Sequence, residues 1–207
     1  MAALTPLALI GQRVALRPIA PDHAEGLAQA AADGLQDAAH LTNIPLAAGM
    51  PQYIEQANAG LLAGHMRPFA TTLRDSGEVV GSTRFWRIEH GNRKCEIGHT
   101  WLASRWHGSF VNAEAKYLML RYAFEQMQCI RVHFQTDVLN LRSAAALRKI
   151  GATEEGVARH ERIMADGRIR DSLQFSIIHT EWPALRERQE AALRALGIEP
   201  AFVMEGL

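Results

Sequence analysis

Cysteine is scarce in this chain, an excess of either charge is absent, and no apolar stretch is long enough to cross a bilayer. Each absence narrows the function. Only two cysteines, Cys95 and Cys129, occur among 207 residues, each inside an apolar run and neither in a CxxC pair. They read as reduced core residues of a cytoplasmic protein, not as a disulfide framework or a nucleophile. Lys plus Arg number 22 and Asp plus Glu number 22, so there is no broad field for nucleic acid or an anionic membrane. No run approaches the roughly 18 apolar residues of a membrane helix, and the opening MAALTPLALIGQR lacks the basic start of a secretory signal. The 9 histidines show no HExxH or paired spacing, so no metal site is expected. Repeats, low-complexity tracts and long linkers are missing too. A hydrophobic content of 48% suits one domain over 1–207 with a sizeable core.

What is present is an irregular alternation of strand and helix signals. Val14 and Leu16 alternate with Arg13, Ala15 and Arg17 in a first strand closed by Pro18. Asp22 is placed to cap a helix to about Asp37, residues 38–50 look irregular, and Pro51 suits the first turn of a helix ending near Gly64. Strand-like runs cover 67–74, 78–88 and 94–102. A polar loop from Ala103 to Phe110 then leads into a helix over Val111–Gln128, apolar on much of its surface. Ile130, Val132 and Phe134 mark another strand, and 140–151 a short helix with Asn140 as N-cap and Gly151 beyond its end. Two more strands meet at Asp166-Gly167, and an amphipathic helix begins near Glu181. The order β-α-α-β-β-β-α-β-α-β-β-α gives an α+β (mixed α/β) fold with about seven strands in a mixed sheet flanked by helices. In the last hairpin, a two-residue turn at Asp166-Gly167 sets Arg162 directly opposite Asp171, which predicts a cross-strand ion pair.

The pieces CEIGHTWL, WHGSFVNAEAKYLMLRYAFE, RVHFQTDVLNLRSAAALRKIGA, EEGVARH, DGRIRDS and the closing EW occur in a fixed order. In that order and spacing the chain resembles the GNAT acetyltransferases, most of all the RimJ/RimL-like branch typified by ribosomal-protein acetyltransferases. The likeness covers about 9–183, with the C-terminal helix and tail at 184–207. It implies the GNAT fold, acetyl-CoA as co-substrate, and an amine acceptor that is either a small molecule or a protein N-terminus. A homodimer stays open.

The resemblance places coenzyme A on three constellations. The first is the loop Arg105-Trp106-His107-Gly108-Ser109-Phe110, continuing through Val111 and Asn112, which opens a helix where free N–H groups and the helix dipole suit a pyrophosphate. Phe110 stands where the family has a second small residue; since Phe resists positive φ, the ring is expected to cover the cofactor or narrow the site. The second is the strand at His99, Thr100, Trp101 and Leu102, whose backbone faces the pantetheine arm and holds the thioester carbonyl. Glu96 is the candidate base on that strand, expected to share a face with Gly98 and Thr100, while Cys95, Ile97, His99 and Trp101 take the other. His99 is the competing base, and a surface or ion-pair role for either stays open. The third is Asn140, for the pantetheine amide, with Ser143 near the sulfur; plain helix capping accounts for both residue types as well. Leu147 holds the place of the tyrosine acid found in many members, which leaves Ser143 or water to protonate the thiolate. The same fold without catalysis, as an acyl-CoA-binding or interaction module, is the rival reading.

Overall fold

A computed structural model describes residues 3–34, 41 and 44–206. Among these residues nine strands form one sheet: β1 Leu7–Ile10, β2 Val14–Pro18, β3 Arg67–Leu73, β4 Val79–Glu89, β5 Lys94–Leu102, β6 Arg131–Asp137, β7 Thr153–Ile163, β8 Ile169–Ile178 and β9 Val203–Gly206. Their spatial order is β7-β8-β6-β5-β4-β3-β2-β1-β9. Every neighbouring pair is antiparallel except β5 and β6.

Among the described residues five α-helices cover the sheet: α1 Ala24–Ala32, α2 Met50–Leu62, α3 Phe110–Arg121, α4 Leu141–Ile150 and α5 Trp182–Ala195. Leu27 and Ala30 of α1 and Ile54 and Ala57 of α2 pack with Ala70 and Trp101 on one face. Tyr117 and Leu118 of α3, Leu147 of α4 and Trp182 and Leu193 of α5 pack with Phe85, Ile97 and Phe134 on the other. Both cysteines are buried and free, with the sulfurs 3.9 Å apart. Among the described residues no helix is long and apolar enough to cross a membrane, and no group of three His, Cys, Asp or Glu could hold a metal ion.

The seven expected strands are present, and two more join them. β1 reads LALI and β9 VMEG, four residues each without polar alternation; β1 pairs with β2 on one side, Leu9 opposite Leu16, and with β9 on the other, Leu7 opposite Gly206 through Ile10 opposite Val203. The expected tail therefore returns to the sheet. Asp22 does not cap α1; it lies in a 3-10 turn, Pro21–His23, and His23 Nδ1 accepts from the Ala20 N–H at 3.1 Å. That helix ends at Ala32, with Gly34 at φ +69°; residues 35–37 of the expected helix, with 38–40, 42 and 43, lie outside the described residues. α3 stops at Arg121 and continues to Gln126 as a π-helical turn.

The Arg162–Asp171 pair does not form. Arg162 lies opposite Arg170 and Ile163 opposite Ile169, and the Met164 N–H reaches the Arg168 carbonyl at 2.9 Å. The loop is therefore Ala165-Asp166-Gly167, three residues with Gly167 at φ +82°, not two. One extra loop residue moves the partners next to the turn by one, and the bulge between Ala158 and Arg162 shifts those beyond it further. Asp171 instead accepts the His160 N–H at 2.7 Å.

Candidate active site

The site begins where the single parallel pair comes apart. β5 and β6 are in register only at Lys94 with Arg131, Cys95 with Val132 and Glu96 with His133. Beyond that point β5 stays with β4, to Leu102 opposite Gly81, while β6 stays with β8, to Asp137 opposite Ser172. The strands diverge, and the facing edges carry backbone donors and acceptors without a ladder partner. A cavity of about 220 Å³ occupies the wedge, lined by Ile97 to Leu102 on one side and Phe134 to Asp137 on the other.

A bulge decides which side chains face which layer. Arg84 lies opposite Gly98, but Ser82 lies opposite Trp101, so His99 and Thr100 together face Thr83. His99 takes φ +50° to make the turn. An inserted residue reverses the side-chain alternation that follows. Cys95, Ile97 and Leu102 consequently share the α3 layer, whereas Trp101 joins the α1–α2 layer. The expectation that Glu96, Gly98 and Thr100 share a face fails at Thr100, whose hydroxyl meets Lys116 of α3 at 2.7 Å. Trp101 is displaced to the opposite face for the same reason.

The start of α3 forms one end of the wedge. Gly108 adopts φ +73°, and a Cβ built there meets nothing within 4 Å. Ser109 is the extended N-cap; its Oγ accepts from the Val111 N–H at 3.3 Å and donates to the Trp106 carbonyl at 2.7 Å. Gly108, Asn112 and Lys116, four residues apart, all line the cleft as one helical stripe. Phe110 neither covers the cleft nor narrows it. It is the first helical residue, so only Gly108 takes the left-handed conformation, and its ring packs on Trp106 at 6.0 Å beneath the Arg13 guanidinium at 3.8 Å. Arg105 is also turned away: two carboxylates, Asp33 at 2.9 Å and Glu78 at 2.6 Å, hold its guanidinium. Val111 is fully buried in the core. Trp106, His107, Gly108 and Asn112 are the members of this loop that form the cleft wall.

His107 bridges the α3 and α4 ends of the cleft. Its Nε2 lies 2.9 Å from the Leu102 carbonyl and its Nδ1 2.9 Å from Arg142 Nη1. A carbonyl only accepts and a guanidinium only donates, so the ring carries its proton on Nε2. Burial and the Arg142 charge lower its pKa and keep it neutral. In α4, Asn140 Oδ1 accepts the Ser143 N–H at 3.0 Å, and Asn140, Ser143 and Leu147 line the cleft. Capping and ligand contact are compatible here, since the cap uses Oδ1 and leaves the amide NH₂ to donate. The cap also uses only the backbone of Ser143, so its hydroxyl is not committed to it.

The two candidate bases occupy different settings. Glu96 is 5% exposed, with His133 Nδ1 at 3.5 Å and Arg87 Nη1 at 3.4 Å. Burial pushes its carboxyl up, but the neighbouring His133 and Trp86 side chains and the charges of His133 and Arg87 outweigh that and hold it below the usual range. Its Oε1 would lie 3.1 Å from a Cβ on Gly98, the cleft-lining residue two places on. His99 lines the cleft itself, its ring edge-on to Trp86 at 5.1 Å. Burial and then the charges of Arg84 and Arg162 bring it down to about 3, so it is neutral at physiological pH and a weak proton acceptor.

Sequence reasoning passed over Lys116, Arg142 and Arg170, which all line the cleft. Lys116 had a signal, since it lies four residues beyond Asn112 and eight beyond Gly108 on one stripe. It is buried, donates to Thr100 at 2.7 Å and Thr83 at 3.3 Å, and burial lowers its pKa to about 7.

Residues 13–153 match the acetyltransferase (GNAT) domain model. Over 106 residues the chain is 32% identical to YdaF of Bacillus subtilis (strain 168), which bears the provisional name of a ribosomal N-acetyltransferase; the match spans 51% of this chain and 57% of that protein. RimJ of Mycobacterium smegmatis, solved in complex with CoA-disulfide, superposes with a TM-score of 0.81 at 25% identity, covering 96% of this chain and 99% of that one. A GCN5-related N-acetyltransferase from Brucella melitensis gives 0.81 at 26% identity, over 90% and 88%. With a domain match across most of the chain and a sheet that opens between its one parallel pair, the protein belongs to the GNAT acetyltransferases, in their RimJ/RimL-like branch.

Proposed function

We propose that the chain transfers an acetyl group from acetyl-CoA to a primary amine, directly within a ternary complex. One observation carries this reading: the wedge between β5 and β6 joins an unpaired strand edge, a helix N-terminus with an open glycine, and the capped start of α4 in one cleft. The residues fit the co-substrate. The N–H groups at Gly108 and the first turn of α3 suit its pyrophosphate, the edge of β5 suits an extended amide-bearing arm, and the Asn140 NH₂ suits an amide carbonyl.

Acetyl-CoA supplies an activated thioester carbonyl. The chain positions it and moves protons. A backbone N–H of the β5 edge near the His99–Thr100 bulge is placed to hold charge building on the carbonyl oxygen. Glu96, ionised at neutral pH, takes the ammonium proton across Gly98 directly or through a water. Ser143 donates towards the departing sulfur. The neutral His107 keeps the loop and α4 in fixed relation.

The acceptor is a protein N-terminus or a small free amine, reached from the α1–α2 side. Steady-state release of coenzyme A across a panel of small amines and N-terminal peptides tests the proposal, with acetyl-CoA affinity measured alongside by calorimetry. Turnover with at least one amine is the expected result. Leu147, in place of a tyrosine acid, favours the rival of an acyl-CoA-binding module without catalysis, and tight binding with no turnover across the panel would establish that rival.

A further inference from the structure

Arg84 stands on β4 directly opposite Gly98, on the face that α1 and α2 cover, and it is 5% exposed. Its guanidinium stacks over the Tyr53 ring at 4.8 Å, and Nη1 lies 3.3 Å from the Met66 sulfur. Nε and Nη2 are buried and have no hydrogen-bond partner among the described residues. A buried guanidinium left so is costly, which makes it a sign of something that completes it. The two unpaired donors are not scattered. Nε–H and Nη2–H form one edge of the guanidinium plane, the edge that pairs side-on with both oxygens of a carboxylate.

The surrounding charge has the same sense. Arg162 is paired with Glu161 at 3.9 Å, and the His99 imidazole, which lines the cleft, feels the guanidinium groups of Arg84, Arg162 and Arg87 and, in the opposite sense, the Glu96 carboxylate. That carboxylate already has Arg87 at 3.4 Å and His133 at 3.5 Å. Cation is therefore in excess beside the bulge, although the whole chain is neutral. Tyr53, Trp86 and Trp101 frame the place, with Trp101 Nε1 donating to the Tyr53 hydroxyl at 3.4 Å. An aromatic, water-poor frame strengthens a charge pair formed within it.

We infer that the acceptor carries a carboxylate close to its amine, and that Arg84 receives this carboxylate on its unpaired Nε–Nη2 edge. The inference rests on the acetyl-transfer reading and narrows its substrate to acidic amines: a peptide with Asp or Glu next to its N-terminus, or an amino acid of similar reach. Arg84 orients the acceptor across Gly98, so that the amine comes to the cleft with its proton near Glu96.

The test uses the full chain with peptides matched except for one group, Asp against Asn and Glu against Gln at the second position. The expected result is a kcat/KM at least about tenfold higher for the acid of each pair, the effect of one charge-assisted contact. Arg84→Lys keeps a charge but not the two-donor edge, and Arg84→Met removes both; each should bring acid and amide to within about threefold, well below that tenfold effect. Equal rates for acid and amide in the wild type, or a preference that survives in both variants, would overturn the inference. Calorimetric titration of the same peptides into the CoA-loaded protein decides it independently of turnover. Acid-selective binding that is lost in Arg84→Lys, without coenzyme A release from acetyl-CoA, would refute acetyl transfer and leave the recognition standing. Turnover of neutral amines with no acid preference would do the reverse. Arg84→Met should also melt at a higher temperature than wild type without ligand, because it removes an unpartnered buried charge.

Discussion

The Lys116 ammonium lies 2.7 Å from the Thr100 hydroxyl and ties α3 to the bulge in β5. Thr83 Oγ1, 2.7 Å from Thr100 Oγ1, completes a link across three elements. Burial lowers the lysine from 10.5 to about 7, so between those values the unfolded chain binds the extra proton and the folded chain does not. Stability from this group therefore rises with pH from about 7 to about 10.5, and the full penalty is present below 7. Over that window the change is on the order of a few kcal/mol. Lys116→Met should be more stable than wild type at pH 6.5 in urea unfolding and should flatten the rise towards pH 10. A variant that tracks the wild-type curve would show that the amine is not buried in its charged form.

Gly108 takes φ +73° beside open space, so a side chain there meets strain but no clash. Gly108→Ala should fold with a loss of about 1 kcal/mol, the usual cost of a non-glycine residue in this conformation. Gly108→Val adds branched bulk where the backbone is proposed to meet pyrophosphate. Calorimetry with acetyl-CoA should show at least about a tenfold loss for the valine variant, and a smaller one for alanine, if backbone N–H groups there hold the anion. Unchanged affinity in both would move the pyrophosphate elsewhere.

Asn140 and Ser143 separate two roles that a sequence merges. The cap uses the Asn140 side chain and only the backbone of Ser143. Ser143→Ala should therefore keep its melting temperature while kcat falls about tenfold or more for loss of a proton donor. Asn140→Ala should lose about 1 kcal/mol of stability with the cap and raise the KM for acetyl-CoA. If Ser143→Ala retains full kcat at every pH, water protonates the leaving sulfur.

How far these features could be read in the sequence depended on whether their cause was local. Helix α4 was readable, since Asn140 and Gly151 act within one turn of the helix ends, and Gly151 does take φ +93°. β9 was not, because it is held only by β1 from the opposite end of the chain, and β1, between β2 and β9, is four apolar residues without alternation. The Asp166-Gly167 signal is equally consistent with loops of two and three residues; the longer loop took Asp171 away from Arg162, and the bulge between Ala158 and Arg162 brought the His160 N–H to it. In the site, Gly108, Asn140 and Ser143 came from residue pattern and resemblance. The bulge at His99 had no signal, because nothing about a histidine announces a positive φ, and face parity failed from Thr100 onward. Arg84 was silent for a related reason, and Lys116 was marked only by its spacing from Gly108 and Asn112: that a charge is buried is seen only after the layers close over it.

Glu96 gives the sharpest test of the chemistry. Its carboxyl sits below the usual range because the hydrogen bonds and charges around it outweigh burial, so it is ionised throughout the working range. It contributes stability above the ordinary carboxylate pKa that is lost as pH falls through its lowered folded value. The acid limb of kcat/KM should then follow the acceptor amine, near roughly 7.7–8.0 for an α-amino group, and not Glu96. Glu96→Gln should lower kcat by about 10²–10⁴-fold, the range for removal of a general base, with the KM for acetyl-CoA and the position of that limb unchanged. A purely structural carboxylate predicts something different. Losing the contacts to Arg87 and His133 would lower the melting temperature while kcat stayed within about threefold of wild type, short of the smallest loss expected for a base. Measuring kcat, its pH profile and melting on the same variant separates the two, and that second pattern would remove Glu96 from the reaction.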